Sequence, residues 1–117
     1  MSSVLKSNKK IRLSYCLPEA ILIDVKGTMM LQGYDLKGKS KWISEALYQL
    51  LDMKNYCDLV MINNHMDGFE KLDSISIDTD LKQKLDDAIL EIRTQYPIIE
   101  GVQSKIIRTA IVQRLLR

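Results

Sequence analysis

The sequence predicts a mainly α-helical fold built on a short two-stranded antiparallel ribbon, in the order strand, helix, helix, linker, strand, helix, helix. Three observations predict it. Two short segments alternate apolar and polar residues with period two. Each is followed by two stretches with apolar residues at helical spacing. The two halves can also be laid on one another. A chain of 117 residues suits one compact domain rather than two independent ones.

The first strand is expected over residues 11–17. Ile11, Leu13, Tyr15 and Leu17 point one way, and Arg12, Ser14 and Cys16 the other. Pro18-Glu19 opens a helix, because proline suits the first turn and an acid suits the positive end of the dipole. Ile21, Val25 and Met29 then recur every four residues as its apolar stripe. Gly33 and Gly38 bracket its end, and Ser40 reads as the N-cap of a second helix. That helix carries the stripe Ile43, Ala46, Leu47, Leu50 and Leu51.

The order then recurs. Residues 72–77 form a second alternating strand. Asp78 caps a helix striped by Leu81, Leu85, Ala88, Ile89, Ile92 and Tyr96. Pro97 and Gly101 interrupt it, and Ser104 caps the last helix, with Leu115 and Leu116 near its end. Residues 40–47 match 104–111 at an offset of 64 (104 minus 40), and Pro18 matches Asp78 at an offset of 60 (78 minus 18). The four-residue difference falls in the loop between helices, where length changes are tolerated. The expected organisation is a basic arm at 1–10, a first strand-helix-helix repeat at 11–54, a linker at 55–71 and a second repeat at 72–117, all in one domain.

Composition sets the limits on function. Hydrophobic residues make up 46% and charged residues 27%, which argues against disorder. The net charge of +2 does not by itself announce a nucleic-acid partner. Its distribution says more. Lys6, Lys9, Lys10 and Arg12 crowd the start, Lys37, Lys39 and Lys41 alternate later, and acids gather between Asp67 and Asp87. Cys16 and Cys57 are too far apart in sequence for a metal motif and read as idle thiols in a reducing compartment. His65 reads as a surface residue of the linker, and Trp42 as packing at a helix start. No phosphate-binding glycine loop, no histidine beside a nucleophile and no metal cluster is visible, so neither enzymatic activity nor a cofactor is expected. No apolar run approaches a membrane span and no signal peptide is evident, which makes the cytoplasm the expected location and a membrane an unexpected partner.

One strand alone cannot satisfy its backbone groups, so the strands of the two halves are expected to pair, with four helices burying the apolar face. The other face then carries Arg12, Ser14 and Cys16 beside Ser74 and Ser76. A two-stranded ribbon fits the major groove of B-DNA, where outward side chains reach base edges. Helix starts at Ser40-Lys41 and Ser104-Lys105 suit phosphate, and Lys9, Lys10 and Lys39 add basic charge nearby.

The segments Arg12-Leu13-Ser14-Tyr15-Cys16-Leu17-Pro18-Glu19 and Gly38-Lys39-Ser40-Lys41-Trp42-Ile43-Ser44-Glu45-Ala46-Leu47 resemble the ribbon-helix-helix family of Arc and MetJ repressors. The presence of both repeats in one chain is similar to the tandem TraY-type proteins of conjugative plasmids. The resemblance implies that the places two, four and six residues before the helix opening read bases. These are Cys16, Ser14 and Arg12 in the first half, and Ser76, Ser74 and Leu72 in the second. It implies that the second helices clamp phosphate through Ser40-Lys41 and Ser104-Lys105. The second half departs from the pattern: Asp78 replaces proline, Leu72 stands at a base-reading place, and Asp73 stands where a core residue is usual. The implied function is sequence-specific binding of double-stranded DNA, in transcriptional regulation or as an accessory of the conjugative relaxosome.

Two other classes compete. Met29, Met30, Leu31 and Ile23 give the first helix more apolar surface than one stripe needs. This reads either as deeper burial under the linker or as a surface for self-association on DNA or for transfer and transcription proteins. The second meaning also suits a helical protein–protein adaptor. An antitoxin-type regulator would need a disordered tail to wrap its toxin, whereas helical spacing here continues to Leu115-Leu116-Arg117.

Overall fold

The computed structural model describes residues 9–62 and 70–117. The arm at residues 1–8 and the linker stretch 63–69, His65 included, lie outside the described residues. Strand β1 (Lys10–Pro18) pairs antiparallel with β2 (Glu70–Asp78) in a two-stranded sheet. The register sets Arg12 opposite Ser76, Ser14 opposite Ser74 and Cys16 opposite Leu72. Period two then divides the ribbon into two faces. Leu13, Tyr15, Leu17, Ile75 and Ile77 are buried on the inner one.

Helix α1 (Glu19–Leu31) follows β1 directly, with Pro18 at its N-cap. Its buried stripe is Leu22, Val25 and Met29. Ile21, expected in the stripe, is only half-buried, because steps of three and four residues follow the 3.6-residue turn more closely than repeated fours. Gly33, with φ of 87°, ends the helix. Its N–H bonds to the Met30 carbonyl at 3.1 Å, and that of Tyr34 to the Met29 carbonyl at 2.9 Å. These two bonds define a Schellman cap, which needs a left-handed residue that glycine adopts without strain.

A 3₁₀ turn (Leu36–Gly38) leads into α2 (Lys39–Leu51), which buries Trp42, Ile43, Ala46, Leu47 and Leu50. A short helix, α3 (Tyr56–Ile62), lies inside the stretch expected as linker. Cys57 and Val60 are buried in it, and their apolar spacing is too brief to distinguish a two-turn helix from a loop by pattern alone. After β2 come α4 (Thr79–Gln95), capped as expected by Asp78, whose carboxylate accepts the Leu81 N–H at 2.8 Å, and α5 (Val102–Leu115). Helices α2 and α5 pack on each other and on the ribbon, closing one core around its inner face. Each fully buried aliphatic side chain there contributes about 1.5–3 kcal/mol by leaving water. No helix among the described residues is long and apolar enough to cross a membrane.

Candidate nucleic-acid interface

The helix starts do not form where the serines suggest. Gly38 and Gly101 occupy the N-cap positions of α2 and α5, the latter left-handed with φ of 62°. Ser40 and Ser104 sit one to two residues inside their helices and reach across to the ribbon instead. Ser40 Oγ accepts the N–H of Ser76 on β2 at 3.0 Å, and Ser104 Oγ accepts the N–H of Cys16 on β1 at 3.1 Å. In a two-stranded ribbon each strand has one edge without a strand partner, and an edge N–H turned towards a helix needs an acceptor. The serines meet that need, whereas exposed helix-start N–H groups can be hydrated. As acceptors, both hydroxyls retain a proton to donate.

These bonds place the first turns of α2 and α5 against opposite edges of the ribbon. They also direct the Cys16 and Ser76 N–H groups outward, so the pairs Cys16–Leu72 and Arg12–Ser76 are of the non-hydrogen-bonded kind, with side chains close together. The outward row runs from Lys10 and Arg12, both exposed, through Ser14 and Ser74 at the centre, to Cys16 and Leu72. Ser74, Ser76 and Cys16 are half-buried, and Leu72 is exposed. The five residues expected to read bases therefore share one face. Lys9 is exposed just before β1, and Lys41 is exposed in the first turn of α2.

Lys39 and Lys105 are placed differently. Lys39 Nζ reaches both oxygens of Asp73, at 2.7 and 2.9 Å, and Tyr15 Oη donates to Asp73 Oδ2 at 2.5 Å. Asp73 lies on the inner side of β2, paired with Tyr15 in the register. Burial alone would raise its carboxyl pKa, but the hydrogen bonds from Lys39 and Tyr15 outweigh that and hold it below the usual carboxylate range. Burial, reinforced by the Asp73 hydrogen bond and charge, pushes the Tyr15 phenol far above its ordinary value. The Lys39 charge is thus committed to the protein. Lys105 lies beyond the free N–H groups of α5, its own N–H bonding to the Gly101 carbonyl at 3.1 Å. Its side chain lines a groove with Tyr96, Ile98 and Ile99.

Two supports have no signal in the sequence. Gln103 Nε2 donates to the Ser14 carbonyl at 2.9 Å, a second tie from α5 to the β1 edge. Arg114, near the end of α5, holds the first turns of α2. Its guanidinium lies 4.5 Å from the Trp42 ring centroid and donates to the Trp42 carbonyl at 2.7 Å and to Glu45 at 3.1 Å. It also bonds Tyr34 Oη at 3.0 Å, and Tyr34 in turn donates to Glu45. Burial tends to raise the Glu45 carboxyl, but the bonds from Tyr34 and Arg114 prevail and lower it. Trp42, fully buried, donates its indole N–H to Gln32 at 2.8 Å, consistent with a packing role.

Among the described residues no group of His, Cys, Asp and Glu side chains is arranged to hold a metal ion. Compared with known proteins, the chain matches no family model, no curated protein and no solved structure.

Proposed function

We propose that the two halves are copies of one strand-helix-helix unit, packed as a single-chain pseudo-dimer, and that the ribbon they share binds double-stranded DNA in the major groove. One observation carries the reading: an outward row with Lys10 and Arg12 at one end lies between two helix starts, each tied by a serine to a ribbon edge. The serine ties relate Ser40–Ser76 to Ser104–Cys16 under the same offsets that align the halves. A ribbon of this width suits the major groove, and helix N-termini beside it suit the flanking phosphates. Arg12 reads a base, with Ser14, Cys16, Ser74 and Ser76 beside it, while Lys9, Lys10, Lys41 and the Ser40 and Ser104 hydroxyls meet the backbone. The chain acts as a binder rather than a catalyst, in transcriptional regulation or plasmid transfer.

Replacement of Arg12 by alanine tests this. Discrimination between a selected duplex and random DNA should fall by about 1–3 kcal/mol, the range for one lost base contact. Equal losses on both DNAs would remove Arg12 from the reading face.

A second surface favours self-association or a protein partner. Ile23 and Leu31 on α1 and Leu116 after α5 are exposed and border a shared apolar groove. Neighbouring copies on longer DNA could meet there, and the adaptor reading would use the same groove without DNA.

A further inference from the structure

The outward face of the ribbon is not uniformly polar. Leu72 leaves 71% of its surface exposed there. It stands opposite Cys16, a half-buried free thiol. The Cys16 N–H is bonded away from β2 to Ser104, so the two side chains form a close, non-hydrogen-bonded pair. Along the ribbon the outward pairs change character from Arg12–Ser76, through Ser14–Ser74, to Cys16–Leu72. One end is cationic and hydrogen-bonding. The other is apolar at the Cys16–Leu72 pair.

Resting on the DNA reading, we infer that Leu72 and Cys16 form an apolar subsite for the 5-methyl group of a thymine. The other groups that base pairs present in the major groove are hydrogen-bond donors and acceptors, and the thymine methyl is the apolar one. A donor or acceptor pressed against leucine would lose its water without a replacement, so the subsite rejects those edges. Its position fixes a spacing. Successive outward pairs lie about 6.8 Å apart along a strand, which puts Leu72 about 14 Å from Arg12. This is about four base-pair steps of 3.4 Å. The bound sequence is therefore oriented, with the Arg12 contact at one end and a thymine about four base pairs away.

The test uses the full chain and duplexes it selects from a random library. Each thymine of the selected site is replaced in turn by deoxyuridine, which lacks only the methyl group. At one position, about four base pairs from the base that Arg12→Ala ceases to select, the replacement should weaken binding about fourfold, the worth of burying one methyl-sized group. Leu72→Ser should bind the thymine and uracil duplexes equally at that position, and Cys16→Ser should lose part of the preference. Leu72 is a surface residue, so its variant should melt within a few degrees of the parent, which keeps the binding comparison valid. Tolerance of uracil at every position, or an undiminished thymine preference in Leu72→Ser, overturns the subsite and leaves DNA binding standing. Failure to enrich any duplex overturns the DNA reading and the subsite with it.

Discussion

The starts of α2 and α5 solve the same geometric problem with different chemistry. Both place a serine hydroxyl on a ribbon-edge N–H, at 3.0 Å on β2 and 3.1 Å on β1. Both add a second tie from the residue before that serine. On α2 it is ionic and partly buried: Lys39 to Asp73, with Tyr15 completing the cluster. On α5 it is neutral: Gln103 to the Ser14 carbonyl. At the Asp73 and Tyr15 places, the alignment of the halves puts Leu13 and Ile75, both buried and apolar. The edge N–H is an obligatory donor, so its serine acceptor recurs. The inner pair has only to be mutually satisfied, and an ion cluster or an apolar pair both satisfy it.

The largest effect should come from Trp42, whose counterpart in the second half is Ile106. Both are fully buried, but Trp42 also anchors Arg114 and Gln32. Trp42→Ala should cost about 3–5 kcal/mol in urea unfolding, and Ile106→Ala about 2–5 kcal/mol. A loss below 1 kcal/mol at Trp42 would mean that the Arg114 cluster does not hold α2.

Breaking the ionic tie should come next. Asp73→Leu leaves Lys39 and the buried Tyr15 hydroxyl without their acceptor, at a cost of about 1–3 kcal/mol. Adding Lys39→Gln and Tyr15→Phe makes this side resemble the other and should recover most of the loss, because removing all partners of a polar cluster is nearly neutral. Thermal melts of the single and triple variants decide it. No recovery would show that the two ties are not interchangeable.

The same cluster sets a pH dependence. The Asp73 carboxyl titrates below its unfolded value, so its contribution is full above the unfolded pKa of about 3.9 and is lost as pH falls through the lower, folded value. Acid unfolding of Asp73→Asn should accordingly be shallower than that of the parent, with the difference confined to pH values below about 5. Identical acid limbs would remove Asp73 as a contributor.

The smallest effect separates two lysines in one turn. Lys41→Ala should lower the slope of log binding constant against log salt by about 0.9, one phosphate contact. Lys39→Ala should leave the slope unchanged, because its charge already faces Asp73. Equal slope changes would return Lys39 to the phosphate-binding set.

Much of this was legible in the chain itself. Alternation at residues 11–17 and 72–77 marks two half-buried strands, since period two arises from backbone geometry alone. The stripes of α2 and α4, and the Asp78 cap, are equally local. Sequence patterns gave Ser40 and Ser104 the wrong local job, because capping is judged from neighbours in the chain while their acceptors serve N–H groups on a distant strand. They also gave Lys39 to phosphate, since an alternating lysine carries no sign of an acid 34 residues further on. Arg114 was invisible for the same reason, its partners on α2 lying 72 and 69 residues away. Periodicity and capping depend on interactions within one turn or one pleat, so residue order suffices to fix them. The partner of a polar side chain depends on which elements pack together, and that follows from closing the whole core.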